Sequence, residues 1–353
     1  MDPRIYVPAY LERLYIQEHP GLTEGAHELV REQIATEPER YAANVHAQAL
    51  LSYSRVHGEL TDGLLRMEGL PDDEFERGRG ELFSQAREQL ANIIAEDATC
   101  LDARLVSIQL AEVPLDACLS DMLKLEREAR EMIISTHPGF DPDVDGLWAP
   151  EALADGTSAS ELTASDPDLI GLLHILEALA QGSIFTARYR SAANYARTVM
   201  RAKGFPNYAV GTLLLALARL EDEDAFFQAV QEAGPDVEDL PWFGLGRTLL
   251  LYKLGQTRSA RRALRDFATR CDGGAFFLLN PTYHDPYLPV RPPARETWDL
   301  AHQAVWEADG IIADTPDFTL WAEGVDGVRA AADDNLRARR SRRLRPPLDR
   351  LAS

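Results

Sequence analysis

Cysteines and long apolar stretches are scarce in this chain of 353 residues. The three cysteines, Cys100, Cys118 and Cys271, are isolated from one another, and no CxxC or CxxH spacing suggests a metal or redox site. No apolar run approaches the roughly 20 residues that span a bilayer. The N-terminus lacks the charged-then-apolar pattern of a signal peptide. These absences predict a cytoplasmic protein that has no association with membranes.

Motifs that specify catalysis are also missing from the sequence. It contains no HExxH, P-loop or GxSxG motif, and no GxGxxG that follows a strand. We therefore expect no enzyme activity and no cofactor. The net charge of −21 disfavours binding of nucleic acid by the body of the protein. The expected partner is a protein or peptide with a basic or apolar segment, and the oligomeric state stays open.

A three-residue pattern recurs in the second half of the chain. The pattern begins with a residue that ends one helix. Five positions later comes a small residue of the next helix, and four positions after that comes a residue on the same face of this next helix. The alanines at 187, 225 and 260 are 38 and then 35 residues apart. Such periods are typical of arrays of helical hairpins. The three copies are Gly182–Ala187–Ser191, Leu220–Ala225–Ala229 and Gly255–Ala260–Leu264.

The sequence predicts an all-α fold with almost no β-structure, in which hairpins stack as an α-solenoid, a right-handed superhelix. Three places interrupt the helical periodicity: an acidic stretch, a stretch with five prolines and a block of arginines. The predicted organisation is an N-terminal helical region of irregular hairpins (1–137), an acidic linker (138–168), a hairpin array (169–335) with a proline-rich strap at 280–293, and an arginine-rich tail (336–353).

The three hairpins resemble tetratricopeptide (TPR) repeats, and residues from about 165 to 325 are similar to bacterial TPR proteins related to suppressor of tumorigenicity seven. The similar segments are "FPNYAVGTLLLAL", "LLLYKLGQTRSARRALRDFATRCDGGAFFLL" and "ETWDLAHQAVWEADGIIADTPDFTLWAEG". The sequence departs from that family at Tyr208 and Ala209, where Asp and Asn usually follow Pro-Asn. The resemblance implies a protein that binds other proteins, and it supplies no catalytic residues.

An apolar and aromatic stripe on the first helix of the last hairpin is the candidate binding groove. In a TPR array these positions face the concave side, where aromatic anchors contribute much of the affinity. The alternative is that the stripe packs against the neighbouring hairpin. The candidate groove residues are Asn207, Trp242, Leu245, Leu249 and Tyr252.

The proline-rich strap offers a second candidate, because prolines hold an extended path from which Tyr283, His284 and Tyr287 project. These side chains either line or cover the groove, or the segment is itself bound as a polyproline ligand. The remaining alternative is a strap that crosses the hairpin ends and buries its tyrosines.

Asp141, Asp143 and Asp145 precede a glycine, as in the first half of a calcium loop. Ala152 stands where such a loop needs a bidentate Glu. A solvated acidic turn is the alternative to a calcium-responsive scaffold.

The arginine block is dense enough to bind phosphates, which leaves an RNA- or ribosome-associated factor as an alternative function. The same arginines could pair with the acidic body or form a disordered end. The block contains Arg337, Arg339, Arg340, Arg342, Arg343 and Arg345. His174 is expected to be a hydrogen-bonded core histidine. The function that the sequence favours is a non-catalytic scaffold or adaptor that binds proteins or peptides.

Overall fold

The computed structural model describes residues 1–67, 70–136, 140–143, 165–202, 209–280 and 297–343, and for 339–343 it describes the backbone alone. In these ranges every regular element is a helix and there is no β-strand, so the all-α prediction is confirmed. The α-helices in chain order are α1 (Pro3–Glu18), α2 (Glu24–Thr36), α3 (Val45–Met67), α4 (Asp72–Glu96), α5 (Leu101–Gln109), α6 (Leu115–Thr136), α7 (Pro167–Phe185), α8 (Tyr189–Met200), α9 (Ala209–Leu220), α10 (Glu223–Ala233), α11 (Pro241–Lys253), α12 (Thr257–Arg270), α13 (Gly274–Leu279), α14 (Thr297–Glu307), α15 (Asp309–Ala313), α16 (Phe318–Glu323) and α17 (Val328–Arg343).

The first of two compact units consists of the described part of Met1–Leu179 together with 198–202. Helices α1 to α6 pack mostly on their neighbours in sequence, and α1 also contacts α3. At Gly171, α7 approaches α5 so closely that an added Cβ would lie 2.7 Å from the Cβ of Leu101. The largest fully buried side chains of this unit include Tyr6, Leu11, Leu60, Leu90, Leu119 and Ile133.

The second unit consists of Ala180–Arg197 and the described parts of Tyr208–Tyr287 and Ala294–Ser353. Helices α9 and α10 form one hairpin, α11 and α12 form the next, and α9 packs on α11. Helix α14 contacts α11 and α13, while α17 contacts α12 and α13. The division between the units therefore falls inside α7.

Three helix ends in the second unit repeat the same backbone geometry. Ala187, Glu221 and Gly255 have φ of 57°, 61° and 71°, and their positions in the chain give a constant spacing of 34 residues. In each case the residue that follows donates its N–H to the carbonyl five positions earlier, which is the long bond of a Schellman motif. These bonds are Arg188 to Ser183 (2.8 Å), Asp222 to Leu217 (3.2 Å) and Gln256 to Leu251 (2.9 Å).

This spacing corrects the hairpin pattern proposed from the sequence. Helix α7 continues through Gly182 to Phe185, so the first hairpin turns at Ala187. Two of the turns place a residue with a Cβ in the left-handed region, which costs roughly 1–2 kcal/mol and which a search for glycine does not find. Five positions after each turn, Ala192, Phe226 and Ala260 are fully buried and hold the second helix of the hairpin against the core.

Helix boundaries in the last two hairpins follow the sequence prediction closely. Helix α12 spans Thr257–Arg270 as predicted. Helix α11 begins at Pro241, and the absence of a proline N–H costs nothing there, because N–H groups in the first turn make no hydrogen bond within the helix. In the first turn of α10, Asp222 accepts a hydrogen bond from the N–H of Ala225 at 3.1 Å and caps the helix. These local signals operate over a few residues, and the sequence shows them directly.

By length and composition, α7 is the one helix among the described residues that could cross a membrane. It contains 19 residues, which differs from the expectation that no apolar run approaches this length. In its most apolar window, 67 % of the residues are buried inside the protein, as in a core helix.

Candidate functional site

The predicted groove stripe on α11 lies in the core of the second unit. Trp242 is 1 % exposed and Leu245 and Leu249 are fully buried, whereas Tyr252 is half-buried. The side chains that the sequence pattern assigned to an open groove are therefore packed against other parts of this chain. Glu307 of α14 bonds to Trp242, and Phe318 and Trp321 of α16 pack against Tyr252. Trp242 also packs against Gly211 of α9, as in the alternative that the stripe packs on the neighbouring hairpin.

We call residues 297–323 the C-terminal segment, and we call the side of α7, α9 and α11 that contacts it the first-helix face. The hydrogen bonds and ring contacts named below come from the first helix of each hairpin. Trp321 also packs against the cluster of Leu251, Ala260 and Ala263, and the last two of these lie on α12. The face contains Gln181 and Phe185 of α7, Thr212 and Arg219 of α9, and Trp242 and Tyr252 of α11. All of these residues belong to the second unit.

Glu307 of α14 forms the polar centre of this contact. Its side chain accepts hydrogen bonds from Gln181 Nε2 at 2.8 Å and from the indole Nε1 of Trp242 at 2.8 Å. The hydroxyl of Thr212 lies 3.5 Å from Oε2, and Gln303, one turn earlier on α14, donates to Oε1 at 2.6 Å. The three hairpins thus each direct one neutral donor at a single carboxylate.

Glu307 is only 2 % exposed, so its carboxylate depends on hydrogen bonds such as these. A buried carboxylate loses its hydration, and several hydrogen bonds to it offset much of that cost. Sequence analysis does not predict this arrangement, because the donors lie 65, 95 and 126 positions away along the chain. No local motif marks a residue whose partners are so distant.

Aromatic side chains form the second part of the contact. The ring of Tyr252 packs against Phe318 and Trp321, with centroid distances of 5.2 and 4.6 Å. The Tyr252 hydroxyl donates to the Pro316 carbonyl at 3.2 Å. At the first hairpin, Phe185 makes an edge contact with Trp306 at 4.3 Å. The face therefore combines apolar and aromatic area with a small number of directed polar groups, which is typical of binding surfaces.

A second buried polar cluster lies in the first unit around Asp102, which is 3 % exposed. Tyr6 donates its hydroxyl to Oδ2 at 2.5 Å, and His174 Nδ1 lies 2.8 Å from Oδ1. His174 is hydrogen-bonded, as predicted, but its side chain is partly and not fully buried. The amino group of Met1 lies 2.5 Å from Nε2 of the same ring. The cluster joins α1, α5 and α7.

Burial and charge set the protonation of this cluster. Burial by itself would raise the pKa of Asp102, but His174 and the Tyr6 hydroxyl hold it below its ordinary value. Burial raises the pKa of Tyr6 well above its ordinary value, and Asp102 adds to this. Burial also lowers the pKa of nearby His57 to about 4. The cluster therefore keeps an ionised Asp102 beside neutral Tyr6 and His57 near neutral pH.

The predicted calcium ligands are engaged with other parts of the protein where the structure describes them. Asp143 forms an ion pair with Arg130 at 3.0 Å, and its N–H donates to Asp141 at 2.9 Å. Asp145 lies outside the described residues. Among the described residues there is no group of three or more His, Cys, Asp or Glu side chains that could hold a metal ion.

Five of the remaining candidates lie outside the described residues, namely Asn207, Tyr283, His284, Tyr287 and Arg345. Helix α17 extends to Arg343, so the first part of the arginine block is helical. Arg337 pairs with Asp334 at 3.2 Å, and both side chains are exposed. The side chains of Arg339, Arg340, Arg342 and Arg343 are not among those described.

Comparison with known proteins gives no relative, because no family model, no curated protein and no solved structure matches the chain.

Proposed function

We propose that this chain is a non-catalytic scaffold or adaptor of the TPR type that binds a protein or peptide segment on the first-helix face of its hairpins. In this proposal the hairpins stack as an α-solenoid. The observation that carries it is the constant spacing of 34 residues between the turns at Ala187, Glu221 and Gly255. That spacing is the length of a TPR repeat.

The packing between hairpins supports the same proposal. The first helix of the second hairpin, α9, packs on the first helix of the third, α11, while each also packs on its own second helix. Gly211 of α9 permits this approach, because an added Cβ would lie 2.5 Å from Cγ of the Trp242 ring. Repeat arrays build a binding surface through contacts between neighbouring first helices, so the contact between α9 and α11 supports the proposal.

The chemistry of the face is a further argument. It already holds a stretch of polypeptide, the C-terminal segment, through apolar packing, aromatic contacts and hydrogen bonds from three hairpins. A surface that can hold one helical segment in this way has the features that recognise an amphipathic helix from a partner.

Site-specific photo-crosslinking tests the proposal. A benzophenone side chain replaces Tyr252 on the first-helix face, and in a matched variant it replaces Phe227, which is 40 % exposed on α10. The full chain is irradiated in native lysate, and adducts of higher mass are identified by mass spectrometry. We expect defined partner adducts from position 252 and not from position 227.

The position-252 probe carries its own internal control. Tyr252 packs against Phe318 and Trp321, so irradiation also gives an adduct within the chain, which shows that the probe is reactive. If the internal adduct forms but no intermolecular adduct appears at 252, or if positions 252 and 227 capture the same proteins, the proposed binding face is wrong.

A further inference from the structure

The geometry points to a specific partner chemistry: the first-helix face binds an amphipathic helix that carries a carboxylate, and the C-terminal segment is the resident occupant that such a partner helix replaces. This inference rests on the proposed scaffold function and names its ligand. It reverses the expectation from net charge, which favoured basic or apolar partners.

The carboxylate requirement follows from the donors on the face. Gln181, Thr212 and Trp242 come from three different hairpins, and their donor atoms converge on Glu307. The indole Nε1 of Trp242 can only donate, so within a buried contact it needs an acceptor. A partner helix that lacked an acceptor at this point would leave the buried indole donor of Trp242 unsatisfied.

The helical and aromatic requirements follow from the occupant. Gln303 and Glu307 are four residues apart on α14, so both point to the same side of the helix, and Gln303 orients the carboxylate by a hydrogen bond of 2.6 Å. Trp306 and Trp321 supply the aromatic contacts to Phe185 and Tyr252. The ligand is thus a helix with a carboxylate on its inward side and aromatic residues near it.

The C-terminal segment has features of an exchangeable occupant. Its contact with the face contains buried polar groups, Glu307 and Gln303, where a permanent core contact is usually apolar. The ion pair between Arg219 and Asp314 is partly exposed and contributes little. Asp317 adopts a left-handed backbone with φ of 59°, which adds strain in the bound segment.

A peptide-exchange experiment tests the inference on the full chain. The probe is a fluorescent peptide with the sequence of residues 297–323, and its binding is followed by fluorescence anisotropy. Glu307→Ala in the chain removes the carboxylate from the resident segment and leaves all three donors on the face. We expect this variant to bind the peptide at least tenfold more tightly than the wild-type chain.

Two matched controls identify the contact responsible. Glu323→Ala removes a carboxylate from the same segment, but Glu323 pairs with Arg329, and this variant should bind the peptide like the wild-type chain. A peptide that carries Ala in place of Glu307 should bind the Glu307→Ala chain at least tenfold more weakly than the native peptide. If the Glu307→Ala chain keeps its helical circular dichroism and binds the peptide no more tightly than wild type, the inference is overturned.

If the Glu307→Ala chain does not fold, hydrogen exchange on the wild-type chain tests the inference instead. We expect backbone amides of α14 to exchange at least tenfold faster than those of α11 and α12, because the segment opens while the hairpins stay closed. Equal rates would make the segment a fixed part of the core and would overturn the inference. The two proposals can fail separately. If the peptide exchanges but no partner is crosslinked, the inferred ligand chemistry of the face stands and the scaffold function is contradicted. If a partner is crosslinked but the peptide does not exchange, the scaffold function stands and the inferred ligand chemistry is contradicted.

Discussion

The indole of Trp242 donates to the carboxylate of Glu307 at 2.8 Å, and both side chains are almost completely buried. This bond joins α11 to α14 and links a hairpin to the segment that covers it. Its partners are 65 positions apart in the chain.

Replacement of Trp242 by Phe keeps most of the apolar ring but removes the donor. We expect Trp242→Phe to lower the free energy of unfolding by about 1–3 kcal/mol, because a buried carboxylate loses a hydrogen bond. Trp321→Phe is the control, since its buried Nε1 has no hydrogen-bond partner among the described residues. Urea unfolding followed by circular dichroism measures both, and an equal loss in the two variants would show that ring size and not the bond matters.

The close approach of α9 and α11 depends on Gly211. Gly211→Ala places a Cβ 2.5 Å from the Trp242 ring, so we expect it to lower the free energy of unfolding by about 1–3 kcal/mol through overpacking. Gly246→Ala is the matched substitution on α11, where the nearest atom is the Phe226 ring at 3.3 Å. A smaller loss is expected there. Equal urea midpoints for the wild type and the Gly211→Ala chain would contradict this packing.

The turn at Gly255 requires a left-handed backbone, with φ of +71°. Gly255→Ala should lower the free energy of unfolding by about 1 kcal/mol, because a Cβ is strained in this region. Gly80→Ala has the opposite expected sign, a gain of about 0.5–1 kcal/mol, because Gly80 lies in the interior of α4. A Cβ meets nothing within 4 Å at either site, so the backbone alone distinguishes them. Thermal midpoints that move in the same direction would refute the argument.

Stability should depend on pH through His57. Burial lowers its pKa from 6.5 to about 4, an effect that His174 and Arg4 add to and that Asp2 and Asp102 partly oppose. Between pH 6.5 and about 4 the unfolded chain binds a proton at this position that the folded chain does not bind. The free energy of unfolding therefore falls as the pH falls through this window, by about 3 kcal/mol at most.

Urea unfolding at several pH values between 7 and 4 checks this contribution. His57→Gln removes the titrating group, so the stability of this variant should change less across the window than that of the wild type. His19→Gln, at an exposed position after α1, should keep the full pH dependence. A wild-type slope that persists in His57→Gln would assign the effect to other groups.

Local structure could be predicted from the sequence because its signals are short-ranged. Apolar periodicity gave the bounds of α12, and a proline placed the start of α11. The hairpin pattern predicts a helix end at Gly182 and places Ala187 in the second helix. This register of the first hairpin is wrong, because the helix continues to Phe185 and Ala187 itself occupies the turn. Backbone hydrogen bonds compensate for the strain at that alanine, and a sequence does not display them.

The sequence by itself determined that this chain forms helices and that its later helices pair as hairpins, because each helix depends on residues within a few positions of one another. Only the tertiary structure decided what covers Trp242 and Tyr252. The hydrophobic effect requires that apolar side chains leave water, but it has no preference for the surface that covers them. A partner or the chain's own C-terminal segment satisfies it equally, and the donors around Glu307 come together only after the chain has folded.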